Sequence, residues 1–517
     1  MTRSNDALTG SDELIFDDVT GVVTLPRQRV RAVIIALLLG TLLSGLDQMA
    51  VSTALPTIVG DLGGAAHLTW LVTAYLLAST VSTPLWGKLG DLYGRKVFFQ
   101  LALALFLLGS VLSGICGTML ELILARGVQG LGGGGLIVCA QAIIGDVIVP
   151  RERGKYQSLF SVVFAVTSLV GPLAGGLVTQ AVGWRWVFLM NLPIGIAAMV
   201  VAAVALPAQL PRTRRVIDYY GAVLLAAAAT CLMLCAGLGG PDYPWLSAPI
   251  IGLGLAGVLL GALWVILERR AVDPVLPPAL FANRVFAAGA AVSVMTGFVL
   301  FGVTVFLPVF LQVVRGVSPV MSGVGVLPLM VGLVATSLGS GVVISRTGRY
   351  RAFPVCGTAA MAVGLGLLSL VGPATPAVWV DVSLALLGGG IGCVLQVLVV
   401  AVQAAVRHDQ LGAATGGVTF FRSIGGAFGT AVFGAIFANL LAVRLTALPG
   451  GLTLTDGSAA EISPARLRAM SEPMREAVIA IYTSSVQTVF LAAAGVAALA
   501  FVLTLFLPEV KFQESRA

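Results

Sequence analysis

Charged residues are scarce in this chain of 517 residues, since Asp, Glu, Lys and Arg together make up 10% of it. Soluble globular proteins carry about 25%, and a soluble chain of this length would form about three domains with polar surfaces. Hydrophobic residues instead reach 58%, and the mean hydropathy is +1.01. This composition excludes a soluble protein and predicts an all-α polytopic membrane protein, whose apolar helices of about 20 residues cross the bilayer.

Histidine and cysteine are also rare, with two and six residues. His67 and His408 fall in predicted loops, and the cysteines lie in or beside apolar stretches without the spacing of metal ligands. Cys231 and Cys235 share a helix face, but we expect them to pack as small apolar side chains. No nucleophile–base set, nucleotide-binding loop or metal site is recognisable in the sequence. We therefore expect no enzyme, no metal and no cofactor.

Fourteen apolar stretches are long enough to cross a membrane as helices. Most of the 30 Lys and Arg residues fall in alternate connections, which the positive-inside rule assigns to the cytoplasm together with both termini. The net charge of +7 then anchors loops against anionic lipid, and no nucleic-acid partner is needed. The predicted spans cover residues 32–55, 68–87, 97–117, 120–145, 156–180, 187–207, 218–238, 247–267, 285–311, 320–344, 352–372, 377–403, 412–440 and 482–507.

The stretch GKLGDLYGRK, residues 87–96, is predicted as a short polar loop between two spans. A degraded copy, GVVISRTGRY, occupies residues 341–350, where Ser345 replaces the acid Asp91. Other glycine-rich stretches match at the same offset, which indicates an internal duplication. Two parallel six-span halves are typical of secondary transporters, whose substrate site lies between the halves.

The duplication defines the predicted domains. We expect a cytoplasmic tail, a first six-helix bundle, an inserted two-helix hairpin with its linker, a second six-helix bundle that includes a long outer loop, and a second cytoplasmic tail. In that order they cover residues 1–31, 32–207, 208–284, 285–507 with the outer loop at 441–481, and 508–517. A short surface helix is predicted at 463–475 within the outer loop.

Two opposite charges lie inside predicted spans at the same depth. Asp47 in the first span and Arg126 in the fourth both fall about 9 Å from the outer edge of the hydrocarbon core. A charge buried at that depth is costly and is usually paired or exposed to water. We expect Asp47 to take up and release protons while Arg126 senses its charge. The alternative is a static buried salt bridge.

Weaker candidates lie in the second half. Arg422 falls near the midplane of the thirteenth span, and it either faces an anionic group or bonds to backbone carbonyls freed by nearby glycines. Asp381, near the outer end of the twelfth span, is a second candidate for proton binding, unless it is simply solvated. Four aromatic residues are candidates for cavity contacts by location, with packing as the alternative role: Phe298, Phe301, Phe306 and Phe420.

The fifth span contains GPLAGG, residues 171–176. Pro172 removes a backbone donor and bends the helix, whereas Gly171, Gly175 and Gly176 let a neighbouring helix approach closely. Such packing suits an interface that seals or slides during transport. Generic glycine packing is the alternative.

These motifs together resemble a known family. GKLGDLYGRK is similar to the loop 2–3 signature of the major facilitator superfamily, and LARGVQGLGGGG (124–135) to its span-4 motif. TSLVGPLAGG resembles the antiporter motif of its exporters. LDQMAVSTALPTI (46–58) and WRWVFLMNLPIG (184–195) resemble fourteen-span drug:proton antiporters of the EmrB/QacA type. The second half matches more loosely, through FLPVFLQ (306–312) and FRSIGGAFG (421–429).

The resemblance implies a fourteen-helix antiporter that exports small amphipathic compounds in exchange for protons by alternating access. Asp47 and Arg126 take the family's proton-coupling positions. A conformational switch would comprise Gly87, Asp91, Gly94 and Arg95. We expect a monomer in the cell membrane, with protons as the coupling ion.

The sequence also departs from the family. Gln48 and Met49 follow Asp47 in place of the usual pair, and no additional acid lies clearly in the middle of a span. Substrate preference therefore does not carry over from the family. A dedicated exporter of one metabolite or lipid-like substrate is the main alternative, followed by an importer of the same fold.

Overall fold

A computed structural model describes residues 15–16, 23–24, 26–63, 67–207, 218–240, 243–446 and 470–510. Its first half contains α1 (Arg27–Leu62), α2 (Leu68–Tyr93), α3 (Arg95–Ile115), α4 (Met119–Val147), α5 (Arg153–Gln157), α6 (Leu159–Val182), α7 (Arg185–Leu189) and α8 (Asn191–Ala205). A hairpin and linker follow, with α9 (Tyr219–Leu238), α10 (Ala248–Glu268) and α11 (Pro278–Ala282).

The second half has the same helical character. It contains α12 (Arg284–Val309), which continues as a π-helical turn over Phe310–Val314, then α13 (Pro319–Gly325), α14 (Leu327–Thr347), α15 (Ala352–Leu368), α16 (Ala377–Ala405), a 3₁₀ turn at His408–Gln410, α17 (Leu411–Thr446) and α18 (Glu472–Leu505). Before α1, two short antiparallel strands pair: β1 (Ile15–Phe16) and β2 (Val23–Thr24).

Twelve of the described helices, with adjoining helices counted as one, are long and apolar enough to cross a membrane. This number differs from the fourteen spans that the sequence predicts. Helix α15 is apolar but shorter, and α2 is not among the twelve. The Ser and Thr residues of α2 and its internal proline, Pro84, lower the mean hydropathy of that helix.

The predicted polar loop at residues 87–96 is almost entirely helical, so that prediction is wrong. Helix α2 continues to Tyr93, and α3 begins at Arg95. Gly94 alone separates them, with a φ of 99° that only glycine adopts without strain. The polar side chains of this stretch are therefore fixed on helix ends.

The predicted outer loop at 441–481 is also shorter than expected. Helix α17 extends to Thr446, and α18 begins at Glu472, whose carboxylate pairs with Arg475 at 2.9 Å. The predicted surface helix at 463–475 lies mostly outside the described residues, as do most of both predicted tails. Helix α1 begins at Arg27, so the last five residues of the predicted first tail are helical.

The two largest hydrophobic cores lie in different halves of the chain. Helices α1, α3, α4 and α8 enclose one around Phe99 and Phe106. Helices α12 and α14–α18 enclose the other around Phe433 and Phe490. Helix α9 of the hairpin packs on the linker and on α17, so the hairpin lies beside the bundles as an added element.

Several connections meet at one end of the bundle, which we call the Gly94 end. Lys96 Nζ lies 2.8 Å from the carbonyl of Leu206, and Arg29 Nε lies 3.1 Å from that of Ala205. Tyr350 donates its hydroxyl to the carbonyl of Pro508 at 2.8 Å. The start of α1 and the residues after α18 therefore lie at the same end.

Candidate functional site

Asp47 and Arg126 form a buried ion pair between α1 and α4. Their exposed fractions are 0% and 2%. The structure thus brings together the two charges that the sequence places at one depth. Removing one partner of a buried pair costs about 3–5 kcal/mol, because the other charge is left uncompensated.

Neutral amides complete the partners of Asp47. Gln129 accepts a hydrogen bond from Arg126 at 2.6 Å through Oε1 and donates to Asp47 Oδ1 at 2.8 Å through Nε2. Asn191 Nδ2 donates to the same oxygen at 2.9 Å. Asp47 therefore accepts hydrogen bonds from donors on α4 and α8.

Side chains from α1, α2 and α3 surround the pair. Ser110 on α3 accepts from Gln129 at 2.7 Å and from Asn191 at 3.2 Å. The guanidinium of Arg126 lies 4.4 Å from the ring centre of Tyr75, whose hydroxyl is 2.8 Å from Ser44 Oγ. Arg126 therefore donates to two acceptors, Asp47 and Gln129.

The sequence analysis missed Gln129, Asn191 and Ser110. A signal exists for Gln129, which lies three residues after Arg126 and so shares its helix face. Asn191 and Ser110 are neutral polar residues within apolar spans, where packing and hydrogen bonding to the local backbone are equally common roles. Only the three-dimensional arrangement identifies them.

The GPLAGG stretch packs on α1 beside Asp47. A Cβ at Gly171 would lie 2.4 Å from Met49 Cβ, and one at Gly175 would lie 2.4 Å from the carbonyl of Ala50. Pro172 is inside α6 without ending it. Gly176, predicted to share this contact, has no atom within 4 Å of its Cβ position. The close approach therefore depends on two of the three glycines.

Asp91 joins the two halves at the Gly94 end. Its carboxylate accepts hydrogen bonds from Gly412 N at 3.0 Å and Ala413 N at 2.9 Å, at the start of α17. Arg95 pairs with the same carboxylate at 2.7 Å. A Cβ at Gly87 would lie 2.2 Å from the carbonyl of Gly412. A carboxylate at a helix N-terminus satisfies free N–H groups and the helix dipole.

Asp146, at the end of α4, extends this contact. It pairs with Arg95 and lies 3.3 Å from His408 Nε2. The sequence analysis assigned no role to either Asp146 or His408. Four helix ends therefore meet through the predicted switch residues, and three of them belong to the first half.

The second copy of the motif makes a contact of different chemistry. Gly341 packs closely on Gly154, since a Cβ at Gly341 would lie 2.5 Å from the carbonyl of Gly154. Arg151 donates from Nε to the carbonyl of Ser345 at 3.0 Å and from NH2 to that of Arg346 at 2.7 Å. In the first copy a carboxylate, Asp91, accepts from N–H groups at the start of a helix. In the second copy Arg151 instead donates to carbonyl groups at the end of α14.

A cluster of amides and hydroxyls lies between the halves, further from the Gly94 end. Gln141 Nε2 is 3.4 Å from Gln396 Oε1, and Gln403 Nε2 lies 3.1 Å from the carbonyl of Gln141. Thr419 Oγ1 lies 3.5 Å from Gln141 Oε1, and Gln157 Nε2 lies 3.5 Å from Gln403 Oε1. We call Gln141, Gln157, Gln396, Gln403 and Thr419 the amide cluster. Sequence reasoning did not identify it.

The weaker candidates lie apart from the Asp47 pair. Asp381 is exposed in the first turns of α16. Arg422 is partly buried in α17 and has no hydrogen bond or ion pair with any residue that the structure describes. Phe298 and Phe306 pack against Phe433 and Phe437, with ring centres 5.0 and 5.3 Å apart.

Phe420 is buried beside Phe421, whereas Phe301 is 38% exposed. Packing therefore accounts for three of the four aromatic candidates. The six cysteines are free thiols, and no group of three or more potential metal ligands occurs among the described residues.

Two helical groups with separate cores are joined at one end, and the first group holds a buried charged pair. This is the arrangement of a polytopic membrane transporter. The sequence profile of the Major Facilitator Superfamily matches residues 37–430. The chain belongs to this superfamily, whose members among its relatives are transporters and not enzymes.

Individual relatives agree with this assignment. The uncharacterized MFS-type transporter Rv1877 of Mycobacterium tuberculosis (strain ATCC 25618 / H37Rv) is 42% identical over 478 residues, which cover 92% of this chain and 69% of that protein. Multidrug resistance protein 3 of Bacillus subtilis (strain 168) is 34% identical over 497 residues, covering 94% and 97%. The proton:xylose symporter XylE has a TM-score of 0.63 at 15% identity, covering 94% and 97%, which shows a shared fold.

Proposed function

We propose that the protein is a proton-coupled antiporter of the plasma membrane that exports small amphipathic compounds. The observation that carries the proposal is the Asp47–Arg126 pair, fully buried and surrounded by donors. A relative at 34% identity is named a multidrug resistance protein, which supports export. Intramembrane ionisable residues of this kind commonly serve proton relays.

The coupling step uses residues that touch the pair. A proton from outside neutralises Asp47, and Arg126 then keeps Gln129 as its acceptor. The loss of charge alters the contact between α1 and α6, because Gly171 and Gly175 hold α6 against Met49 and Ala50. Movement of α6 relative to α1 is then the link to alternating access.

We further propose that the Gly94 end is cytoplasmic and that α2 and α15 also cross the membrane. This gives fourteen spans, with two six-helix bundles at 32–207 and 285–507. The positive-inside distribution of Lys and Arg supports the orientation. Cysteines introduced singly at Ala374 and Arg349 into a cysteine-free background test it. An impermeant maleimide added to intact cells should label the first and not the second, and labelling of both or neither contradicts the topology.

Three sets of hydrogen bonds between the halves lie within about 15 Å of the Gly94 end, as counted from the rise of about 1.5 Å per helical residue. They include the Asp91 contact, the Arg151 contact and the amide cluster. Halves that meet at the cytoplasmic end leave the space between them open toward the outside. We therefore assign the structure to the outward-facing state.

Energised efflux over a panel of compounds tests the proposal. Wild-type cells should expel several amphipathic compounds, and collapse of the proton gradient should stop this efflux. Asp47→Asn should abolish gradient-dependent efflux while expression at the membrane is retained. Full gradient-dependent export by the variant would exclude Asp47 as the coupling site. Export of a single compound from the panel would favour the dedicated exporter instead.

A further inference from the structure

Arg422 is a cation inside a spanning helix without a counter-ion in the described part of the chain. It lies about 16 Å along α17 from Leu411, is partly buried, and has no described partner. An unpaired arginine at membrane depth is costly, and such residues face the bundle interior or a water-filled cavity. The position therefore needs an anion that the described residues do not supply.

A residue one turn before Arg422 contacts the opposite half of the protein. Thr419 lies three residues earlier on the same face of α17 and reaches Gln141 of the opposite half at 3.5 Å. Helical side chains lean toward the N-terminus of their helix, so the stem of Arg422 leans toward Thr419. Arg422 thus lies one turn beyond a contact that joins the halves.

Helix α17 packs closely on α12 around Arg422. A Cβ at Gly297 of α12 would lie 2.0 Å from the carbonyl of Arg422, and one at Gly425 would lie 2.0 Å from the carbonyl of Val294. The glycines around Arg422 thus bring two helices together. Among the described residues they supply no carbonyl acceptor to its guanidinium.

We propose that Arg422 is the anion-binding residue of a substrate subsite, and that the protein accepts amphipathic organic acids. The guanidinium offers a planar pair of donors that matches a carboxylate or sulfonate. The amides of Gln141 and Gln396 lie 3.4 Å apart beside Thr419, and they offer neutral hydrogen-bonding groups near Arg422. The apolar body of the ligand then lies against the surrounding helices. This inference rests on the proposed transport function.

A matched pair of probes tests the charge preference. N-dansyl-leucine carries a carboxylate, whereas N-dansyl-leucinamide is neutral and of nearly the same shape. Binding is measured by energy transfer from tryptophan to dansyl, with purified full-length protein in lipid nanodiscs. Wild type should bind the acid about tenfold more tightly than the amide, as expected for a charge-assisted pair.

Three variants make the test specific. Arg422→Gln should lose the preference for the acid and keep the affinity for the amide. Arg422→Lys should keep part of the preference. Arg444→Gln is the matched control, because it removes a charge from the same helix near its other end, where Arg444 contacts Ser484, and it should behave as wild type.

Equal affinity of the wild type for the two probes would overturn the inference, as would an unchanged preference in Arg422→Gln. If Arg422→Gln binds neither probe, Arg422→Lys decides: a lowered preference at unchanged amide affinity supports the subsite, and any other result overturns it. Binding is measured without a proton gradient, so the result is independent of coupling. Failure of gradient-driven efflux alone would contradict the proposed function and leave the subsite standing.

Discussion

Asp47 accepts hydrogen bonds from two neutral amides as well as from Arg126. Gln129 and Asn191 both donate to Oδ1, and Gln129 also accepts from Arg126. Gln129 therefore contacts both members of the pair. The amide of Gln129 therefore fixes the positions of the two charges relative to each other.

We predict that Gln129→Leu lowers the rate of gradient-driven efflux about tenfold while the protein still reaches the membrane. The substitution leaves the buried Arg126 and Asp47 each without one hydrogen-bond partner, and an unmade buried hydrogen bond costs about 1–3 kcal/mol. The measurement is the initial efflux rate in energised vesicles, with the amount of protein in the membrane determined beside it. Thr41→Ala is the control, since its hydroxyl donates to the carbonyl of Leu37 in its own helix. Efflux by Gln129→Leu at the wild-type rate would contradict this role.

The charged residues of the site could be predicted from sequence because charges stand out in apolar spans. Asp47 and Arg126 were found in this way, and the helical rise placed them at one depth. Gln129, Asn191 and Ser110 could not be found, because neutral polar residues within a span have many local uses. Arg422 stands out as a charge in the sequence, but only the structure shows that no described residue pairs with it.

At the scale of elements, α1 and α6 meet through glycines immediately beside Asp47. Gly171 and Gly175 contact Met49 and Ala50, whereas Gly176 faces open space. The sequence identified all three glycines but could not tell which of them face α1. The helix faces became known only with the packing of α6.

We predict that Gly175→Ala destabilises the protein and lowers transport, whereas Gly176→Ala does neither. The new methyl group would lie 2.4 Å from the carbonyl of Ala50, and forced overpacking costs about 1–3 kcal/mol. Thermal unfolding in detergent and efflux rate report the two effects. Equal behaviour of the two variants would show that this contact is unimportant.

The two contacts at the Gly94 end differ in strength. Asp91 is a buried carboxylate with two backbone donors. Arg151 is exposed and donates to two carbonyls of α14. Charge-assisted hydrogen bonds contribute about 1.5–3 kcal/mol each, but solvent screens the exposed one. The Asp91 contact should therefore dominate the stability of the joined state.

We predict that Asp91→Ala opens the Gly94 end at least tenfold more often, and Arg151→Ala only a few-fold. A single cysteine at Thr415, fully buried between the halves, reports opening through its rate of labelling by a maleimide. Arg346→Ala is the control, because the contact uses the carbonyl of Arg346 and not its side chain. A larger effect from Arg151→Ala would reverse the proposed order of the two contacts.

For the whole molecule, the superfamily fold could be predicted from sequence because long apolar stretches and positive loops follow directly from the bilayer. Span boundaries were less accurate. The stretch at 87–96 contains polar residues and was predicted as a loop, yet Gly94 alone breaks the helix. Polarity marks where a helix leaves the membrane, and it does not mark where the helix ends.

The arrangement of the halves was not predictable. The amide cluster joins α4, α5, α16 and α17, which are far apart in sequence. Its members are neutral and have no spacing in common, so only the packed structure brings them together. The cluster and the Asp91 contact together support the proposed outward-facing arrangement, in which the Gly94 end is closed.

The central claim is that proton binding at Asp47 is exchanged for substrate. The most direct measurement is proton release from the purified protein on addition of a transported compound, followed with a pH-sensitive dye in weakly buffered solution. Wild type and Asp381→Asn should release protons in proportion to the substrate bound, and Asp47→Asn should bind substrate and release none. Proton release by Asp47→Asn equal to that of wild type would contradict the account.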